Sequence, residues 1–440
     1  MGMAFTDELL MRTSGCTVLL VDKRAQPGGH WNVAYPYVRL HQPSHFYGVN
    51  SMKLEKGPAK ADGENELASG VEVVSYFQRV LDSWKGSGRV RFMPMCEVDE
   101  SGRRITSLVE PGRSWEARVR RKVVDATYMN VEVPATTPPK YAVAPGALLI
   151  PPNGLPSLRE PHPNYVVIGA GKTGMDAVAW LLRHGVAPER LRWVMPRDPW
   201  MFNRKWAQPY RMLERTEITD ALLGFGGRSP ALDGGEEAVG AEALRRERMG
   251  LIFRVDEGVW PEAFACATVS EEELAEMRRV KDSIIRMGRV REVGVERLLL
   301  DNGEVATGEG TLHVDCTADG LTKRPAVPIF AAGRITLQPV TYCQQVMGAA
   351  LLAYVESQWP DDDARKNDVL VPCPHPDGIR DWLLASEIQW RNLIALIKSG
   401  HGRWVLSSRL SLAAASGLAP ALKYGVTKLL FRTPQERAKL

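Results

Sequence analysis

The chain has 440 residues, of which 44% are hydrophobic and 25% charged, and its formal net charge is +4. That length holds two or three domains, and the composition is that of an ordinary soluble globular protein. The small charge argues against a nucleic-acid binder built on a concentrated basic face and is compatible with an anionic cofactor.

Cys16, Cys96, Cys266, Cys316, Cys343 and Cys373 are scattered, and no C-x-x-C occurs. Neither a disulfide framework nor a metal site is expected, and the redox-active cysteine pair of flavin-linked disulfide reductases is not visible. Most of the cysteines read as small buried hydrophobes. No run reaches the roughly 18 apolar residues of a membrane span, and residues 1–15 carry acids without a cleavage pattern. A cytoplasmic protein is the expectation. Met1-Gly2-Met3-Ala4-Phe5-Thr6 matches a myristoylation pattern in form but makes better sense as part of a fold.

Periodicity predicts a short helix over 3–13. CTVLLVD, 16–22, is a continuous apolar run ending in an acid and predicts a buried parallel strand. The turn PGGHW follows. A helix is predicted over 71–84, a strand over 89–93, a meander over 94–122 turning near Ser101-Gly102, and a strand over 123–127. Residues 134–163 are proline-rich and read as a crossing segment, since strands resume at once. YVVIGAGKTGMDAVAWLL, 165–182, predicts strand, tight turn and helix. A second strand over 191–195 ends at Pro196-Arg197-Asp198. The stretch 198–270 reads as irregular, with a Gly-rich lid or insertion at 225–236. Ser270 and Glu273 make a capping box for a helix over 271–287. Strands are predicted over 296–300, 311–317 and 327–332, a helix over 340–356, and amphipathic helices over 379–398 and 405–431.

Gly169-Ala170-Gly171-Lys172-Thr173-Gly174 is the clearest motif. In such a fingerprint the first glycine permits a tight turn, the second lets backbone approach a pyrophosphate, and the third lets helix pack on strand. Lys172 and Thr173 open the helix, whose free N–H groups suit an anion. A triphosphatase loop would need a glycine at 166, which is Val inside a strand. Arg197 suits the 2′-phosphate of NADP, while Asp198 leaves NAD open.

Asp22 ends a strand about 20 residues after Gly2, the spacing of a ribose-binding acid. Met1-Gly2 therefore fit the last two positions of a first fingerprint. Its strand and first two glycines are not in this sequence. Without them a central parallel strand would be missing and backbone edges exposed. A start further upstream is favoured over a decayed domain, because the remaining chain is orderly.

Val21-Asp22-Lys23-Arg24 followed by Gly28-Gly29-His30-Trp31, together with the second fingerprint, resembles the flavin-containing monooxygenase group and related two-dinucleotide-binding flavoproteins, over about residues 1–355. The resemblance implies an α/β fold of two Rossmann-like, three-layer dinucleotide-binding domains, one inserted in the other, plus C-terminal helices. It divides the chain into 1–162 (FAD-binding, first part), 163–300 (NAD(P)-binding, with an insertion), 301–360 (FAD-binding, second part) and 361–440 (helical).

By the same resemblance, Asp22 binds the FAD adenosine ribose, and Gly2, Arg24, Gly28, Gly29 and Trp31 line the FAD site. Gly169, Gly171, Lys172, Thr173, Gly174 and Arg197 bind NADP. Asp125-Ala126-Thr127 and Asp315-Cys316-Thr317-Ala318 resemble the segments that pass between such domains, with Tyr128 where the group carries Gly. Arg334 stands where many members carry Asp. The group's Phe-x-Gly-x-x-x-His element is absent, Pro145-Gly146 and His162 having a different spacing.

The implied activity is that of an FAD-dependent oxidoreductase in which NADPH reduces the flavin, a monooxygenase if oxygen is the acceptor, acting on a small organic substrate. The alternatives are a non-catalytic nucleotide-binding protein unable to hold FAD and a dehydrogenase without flavin. Residues 30–47 are rich in aromatics, His and Arg. His41 and Arg39, with Gln338 before the helix over 340–356, are the candidate catalytic residues. His30, Gln42, His45 and Tyr47 are further flavin or substrate candidates, and Trp200, Trp206 and Tyr210 candidates to cover the nicotinamide. The C-terminal helices either pack on the FAD domain or form a homodimer contact.

Overall fold

The computed structural model describes residues 1–54, 64–209, 215, 217–218, 221, 228–317 and 323–415. Tyr210, residues 225–227 of the Gly-rich loop, Ala318 and the helix expected beyond 415 lie outside the described residues.

The first domain opens with helix α1 (Gly2–Arg12), which buries Ala4 and Phe5. Strand β1 (Val18–Val21) follows. Helix α2 (Gly70–Lys85) starts at Ser69, whose hydroxyl accepts from the Glu72 N–H while Glu72 reaches back, satisfying two end groups of the helix. Its Val73, Phe77, Val80, Leu81 and Trp84 recur at helical spacing and are buried. Strand β2 (Val90–Met93) pairs in parallel with β1, Val18 opposite Val90 and Val21 opposite Met93. The expected meander is β3 (Cys96–Val98), β4 (Arg104–Ser107) and β5 (Ser114–Glu116), all antiparallel. Strand β6 (Val123–Asp125) closes this part.

The second domain is built on five parallel strands. In chain order its segments are β7 (Ala142–Val143), β8 (Leu148–Ile150), β9 (Tyr165–Ile168), α3 (Lys172–Arg183), β10 (Leu191–Val194), β11 (Pro199–Asn203), α4 (Gly235–Arg248), β12 (Ile252–Phe253), β13 (Ala263–Val269), α5 (Glu271–Arg278), β14 (Ile284–Ile285), β15 (Val290–Val293), β16 (Arg297–Leu300), β17 (Gly303–Ala306) and β18 (Leu312–Asp315). The sheet order is β14-β10-β9-β18-β8. Strand β9 is buried on both faces. Tyr165 and Val167 pack with Met175, Val178 and Leu181 of α3. Val166 and Ile168 pack with Val290, Val293, Leu298 and Leu300 of the sheet β17-β16-β15-β7. Helix, parallel sheet and small sheet make the three layers.

Two strands of the five-stranded sheet lie outside the expected span 163–300. Residues 148–150 and 312–315 are hydrogen-bonded into the second sheet, β8 on β18 and β18 on β9. Backbone pairing between distant segments decides this, and local periodicity does not record it. The helix expected over 271–287 has its capping box but stops at Arg278, because Ile284-Ile285 are taken by the sheet edge beside Trp193-Val194.

A third sheet, β12-β11-β13, joins the domains. Its Phe264 stacks on Trp382 at 4.7 Å, and Phe202 meets the same ring edge-on at 4.9 Å. The chain then returns as β19 (Phe330–Ala331) and β20 (Arg334–Thr336), with β20 parallel to β6. Helix α6 (Gln345–Gln358) is almost wholly buried and packs along α1. It begins five residues later than expected, after Cys343 takes a φ of 59°. Helices α7 (Asp363–Val369), α8 (Ile379–Lys398), α9 (Gly402–Ser407) and α10 (Leu412–Ala415) follow. They pack on the first domain: Trp404 Nε1 donates to the buried Glu8 at 2.7 Å, and Arg409 donates to the carbonyls of His45, Tyr47, Val49 and Met52. Among the described residues no helix is long and apolar enough to cross a membrane.

Candidate functional site

Each glycine of the second fingerprint has a separate physical reason. Gly169 has a φ of 122°, and a Cβ there would lie 2.5 Å from the Cys316 carbonyl oxygen. A Cβ at Gly174 would lie 2.0 Å from the Gly169 oxygen, so α3 can sit this close to β9 only with hydrogen there. A Cβ at Gly171 would meet nothing within 4 Å. The turn is closed on its two structural sides and open at the position where a pyrophosphate would approach the N-terminus of α3.

That opening belongs to one continuous cleft of about 2750 Å³. A drug-sized ligand site occupies roughly 300–1,000 Å³, so the cleft has room for more than one large ligand. Among the described residues lining it, basic side chains outnumber acidic ones sixteen to nine. A chain with a net charge of only +4 thus gathers positive charge where anionic cofactors would lie.

The first-domain candidates line the same cleft: Gly2, Asp22, Arg24, Gly28, Gly29 and Trp31. Met1 and Gly2 place the start of α1 there. Asp22 Oδ1 accepts from the Arg24 N–H at 2.9 Å, and burial raises its carboxyl above the usual range. Gly28 and Gly29 have φ of 123° and 58°, which glycine adopts without steric cost. Trp31 Nε1 donates to the Tyr47 hydroxyl at 2.6 Å, fixing the ring. Among the described residues strand β1 pairs with β2 alone and strand β6 with β20 alone, and both strands line the cleft.

The two strand-end motifs repeat one device. Asp125 Oδ1 accepts from Thr127 N and Oγ1, both at 2.8 Å, and Asp315 Oδ1 accepts from Thr317 N at 3.0 Å and Oγ1 at 2.6 Å. Arg334, the departure from the acidic pattern, donates to Asp125 Oδ2 at 2.8 Å.

His41 and Arg39 line the cleft, and Gln338 does not. The Thr268 N–H donates to His41 Nδ1 at 3.2 Å. A backbone N–H can only donate, so Nδ1 is the acceptor and the ring proton lies on Nε2. Burial first, then the Lys172 and Arg204 charges, push the His41 pKa down to about 3. This imidazole is neutral near pH 7. Arg39 donates to the Leu67 carbonyl at 3.0 Å. Gln338 is buried, with Nε2 donating to the Val327 carbonyl at 2.8 Å and Oε1 accepting from the Val327 N–H at 3.4 Å. Its amide is spent on positioning the chain. Gln344, six residues on, lines the cleft, and its buried Nε2 has no hydrogen-bond partner among the described residues.

Lys172 pairs with Asp176, which also accepts from the Tyr35 hydroxyl at 2.6 Å. Tyr35 packs on Tyr37, and Tyr37 on Trp180, so the aromatic segment 30–47 ties the first domain to α3. His30, Gln42 and Tyr47 line the cleft; His45 does not. Trp200 and Trp206 belong to the core rather than the cleft wall. Arg197 lines the cleft and is engaged by Asp377, with Lys323 also on Asp377 at 2.7 Å. Asp198 is buried and holds Arg286 through two bonds of 2.9 Å, which leaves it outside the cleft lining. Asp176, Asp377, Lys323 and Gln344 were not singled out from sequence; Lys323-Arg324 was the one visible signal, as a basic pair.

One cysteine pair stands apart from the expected majority. Cys266 and Cys343 are joined as a disulfide across 77 residues, with a Cα–Cα distance of 6.3 Å. Cys96, Cys316 and Cys373 are free and buried, and Cys16 is free and half-buried.

A scan against models of known protein families finds no match. The uncharacterized proteins Rv2000 of Mycobacterium tuberculosis and Mb2023 of Mycobacterium bovis are 42% identical to this chain over 443 residues, spanning 96% of this chain and 78% of each relative. Among solved structures, the open form of a cyclohexanone monooxygenase is similar at 14% identity with a TM-score of 0.49, over 90% of this chain and 96% of that one. A flavin-containing monooxygenase from Stenotrophomonas maltophilia is similar at 14% identity with a TM-score of 0.41, over 80% and 93% of the two chains.

Proposed function

We propose that this chain, which belongs to the family of these uncharacterized mycobacterial proteins, is an FAD-dependent oxidoreductase that takes its electrons from NADPH. The observation that supports it is the continuity of one cleft, from the open side of Gly171 to Asp22, Gly28 and Gly29. The cleft has room for two dinucleotides.

The residues present fit both groups. Gly171 and the first turn of α3, with Lys172 and Thr173, would hold one pyrophosphate, and Arg197 with Lys323 would meet a 2′-phosphate. Asp22 would accept from a ribose hydroxyl, and the start of α1 at Met1-Gly2 would face the second pyrophosphate. Bound flavin supplies the redox chemistry, accepting hydride from reduced nicotinamide and passing electrons to an acceptor.

The protein's own part is positioning and exclusion. Gly28-Gly29 and Trp31 would shape the flavin side, with Trp31 fixed by Tyr47. His41 presents a neutral Nε2–H, a hydrogen-bond donor that does not change charge near pH 7. Arg39 supplies a fixed positive charge on the same wall, and Gln338 holds the chain ahead of α6. With oxygen as acceptor the reaction would be a monooxygenation of a small organic substrate.

The test is the visible spectrum of the purified chain, as given, before and after adding FAD and then NADPH. Flavin bound at one per chain and bleached by NADPH is the expected result. A second reading is nucleotide binding without flavin. It would stand instead if NADPH binds and FAD does not.

A further inference from the structure

Residues 47–52 belong to no helix or strand, so their backbone groups need partners elsewhere. Arg409, between α9 and α10, supplies several of them. Its Nε donates to the Val49 carbonyl at 2.9 Å, one terminal nitrogen to that of His45 at 2.5 Å, and the other to those of Tyr47 at 2.6 Å and Met52 at 2.9 Å. A guanidinium has five N–H groups, and the carbonyls of one loop take four of them. From α2 the Tyr76 hydroxyl donates to the Met52 carbonyl at 2.7 Å and accepts from the Val49 N–H at 2.9 Å. Gly48 has a φ of 100°, and a Cβ there would lie 2.3 Å from that hydroxyl. The loop is pinned between α2 and the C-terminal helices.

This loop carries Tyr47 to the cleft wall. The Tyr47 hydroxyl accepts from Trp31 Nε1 at 2.6 Å, and the two rings meet edge-on at 5.9 Å. Trp31 lines the cleft two residues after Gly29. Arg409 does not line it. The C-terminal helices are docked by other side chains as well, since Trp404 Nε1 donates to the buried Glu8 of α1 at 2.7 Å. Docking of the helices and support of the loop thus use different residues.

We infer that Arg409 is a positioning residue for the flavin side of the cleft: through the loop 45–52 it sets where Tyr47 stands, and through Tyr47 the direction of the Trp31 ring. The role rests on the proposal that Trp31 lines a flavin site. Side chains that bind a ligand work when their neighbours hold them to within about 0.5 Å and 10–20°. The planar fork of arginine reaches four carbonyls at once, whereas a lysine ammonium is a compact charge with three donors and cannot span them. The end of the chain thereby shapes a wall that it never touches.

The test reads the Trp31 indole N–H in the whole chain labelled at its tryptophan nitrogens, with W31F and W404F identifying two of the twelve signals. Y47F removes the acceptor and gives the shift of an unheld ring. R409M should move the Trp31 signal in that direction, and R409K should move it less. The Trp404 signal should stay in place, because Glu8 still holds it. R409M should weaken FAD binding about tenfold and leave NADPH binding within about twofold. An unmoved Trp31 signal overturns the positioning role whether or not flavin binds. Trp31 and Trp404 signals that move together overturn it too, because the helices have then come undocked. Should R409M fail to fold, the same two signals in R409K decide. A moved Trp31 signal with unchanged FAD affinity overturns the link to flavin. A chain that holds no FAD before any substitution brings down the flavin reading itself, and the flavin role of Arg409 with it.

Discussion

Arg197 and Asp377 meet side by side in the cleft wall, two guanidinium nitrogens donating to two carboxylate oxygens at 3.0 and 2.8 Å. The geometry is the fork that a phosphate would use, already filled by a carboxylate from the segment ahead of α8. Both side chains are more than a third exposed, so the pair contributes little to stability, and a ligand can displace it.

Replacing Asp377 with Asn leaves Arg197 and Lys323 without their shared counter-charge. NADPH should then bind more tightly, by about tenfold or somewhat less, while NADH changes little. R197A should shift the preference the opposite way. Titration of both nucleotides against both variants checks this; an unchanged NADPH-to-NADH ratio in the pair of variants would remove Arg197 from the 2′-phosphate site.

Gly171→Ala and Gly174→Ala separate binding from folding. A Cβ at 171 enters open cleft, so melting should be unaffected while dinucleotide affinity falls. A Cβ at 174 meets the Gly169 carbonyl at 2.0 Å and must push α3 from β9. Overpacking of this kind costs about 1–3 kcal/mol, or several degrees in Tm. Thermal melts with and without NADPH distinguish the two, and equal melting points would contradict the assignment.

His41 and His375 should make the fold sensitive to mild acid. Burial is the first cause of both shifts, to about 3 and about 4 respectively. Above the ordinary value of about 6.5 both rings are neutral whether folded or not, and pH has no lever through them. Between pH 6.5 and 5 the unfolded rings take up protons that the folded rings refuse. Stability then falls by at most about 1.4 kcal/mol per pH unit for each histidine. H41Q and H375Q together should flatten denaturation midpoints over that window; an unaltered slope would mean that neither ring resists protonation.

Lys366 is fully buried, its Nζ at 2.5 Å from Glu356 and 2.7 Å from Asp363, with Lys122 on the same two acids. K366M removes one of the two cations and leaves the buried Glu356 with Lys122 alone, at up to about 3–5 kcal/mol and roughly 3–5 °C in Tm. K366M/E356L should recover part of the loss, because it removes the stranded charge as well. Calorimetry on the two variants is the measurement, and a single variant no worse than the double would exclude the ionic cluster.

The parts that local sequence dictates were legible. The strand, turn and helix around Gly169–Gly174, the capping box at Ser270, and Asp22 at a strand end follow from neighbours in the chain. The rest depended on partners far away. Nothing near Leu148–Ile150 says that its edge pairs with Leu312–Val314. Helix α4 is rich in Glu, Arg and Gly, so its apolar stripe is thin and it read as a loop. Strand β11 begins with Pro199, a residue that argues against a strand, yet it is the middle strand of its sheet. Cys266 and Cys343 are 77 residues apart, and nothing local to either points to the other. Gln338 and Gln344 carry the same amide near the same helix, and packing alone decides which faces the cleft.

Strands β9 and β18 are bracketed by partners on both sides, while β1 and β6 are bonded along one edge each. Their amide protons therefore leave by different routes. In β9 and β18 exchange with deuterated water waits for global unfolding, whereas in β1 and β6 a local opening suffices. A ligand in the cleft that β1 and β6 line should slow their exchange toward that of β9 and β18.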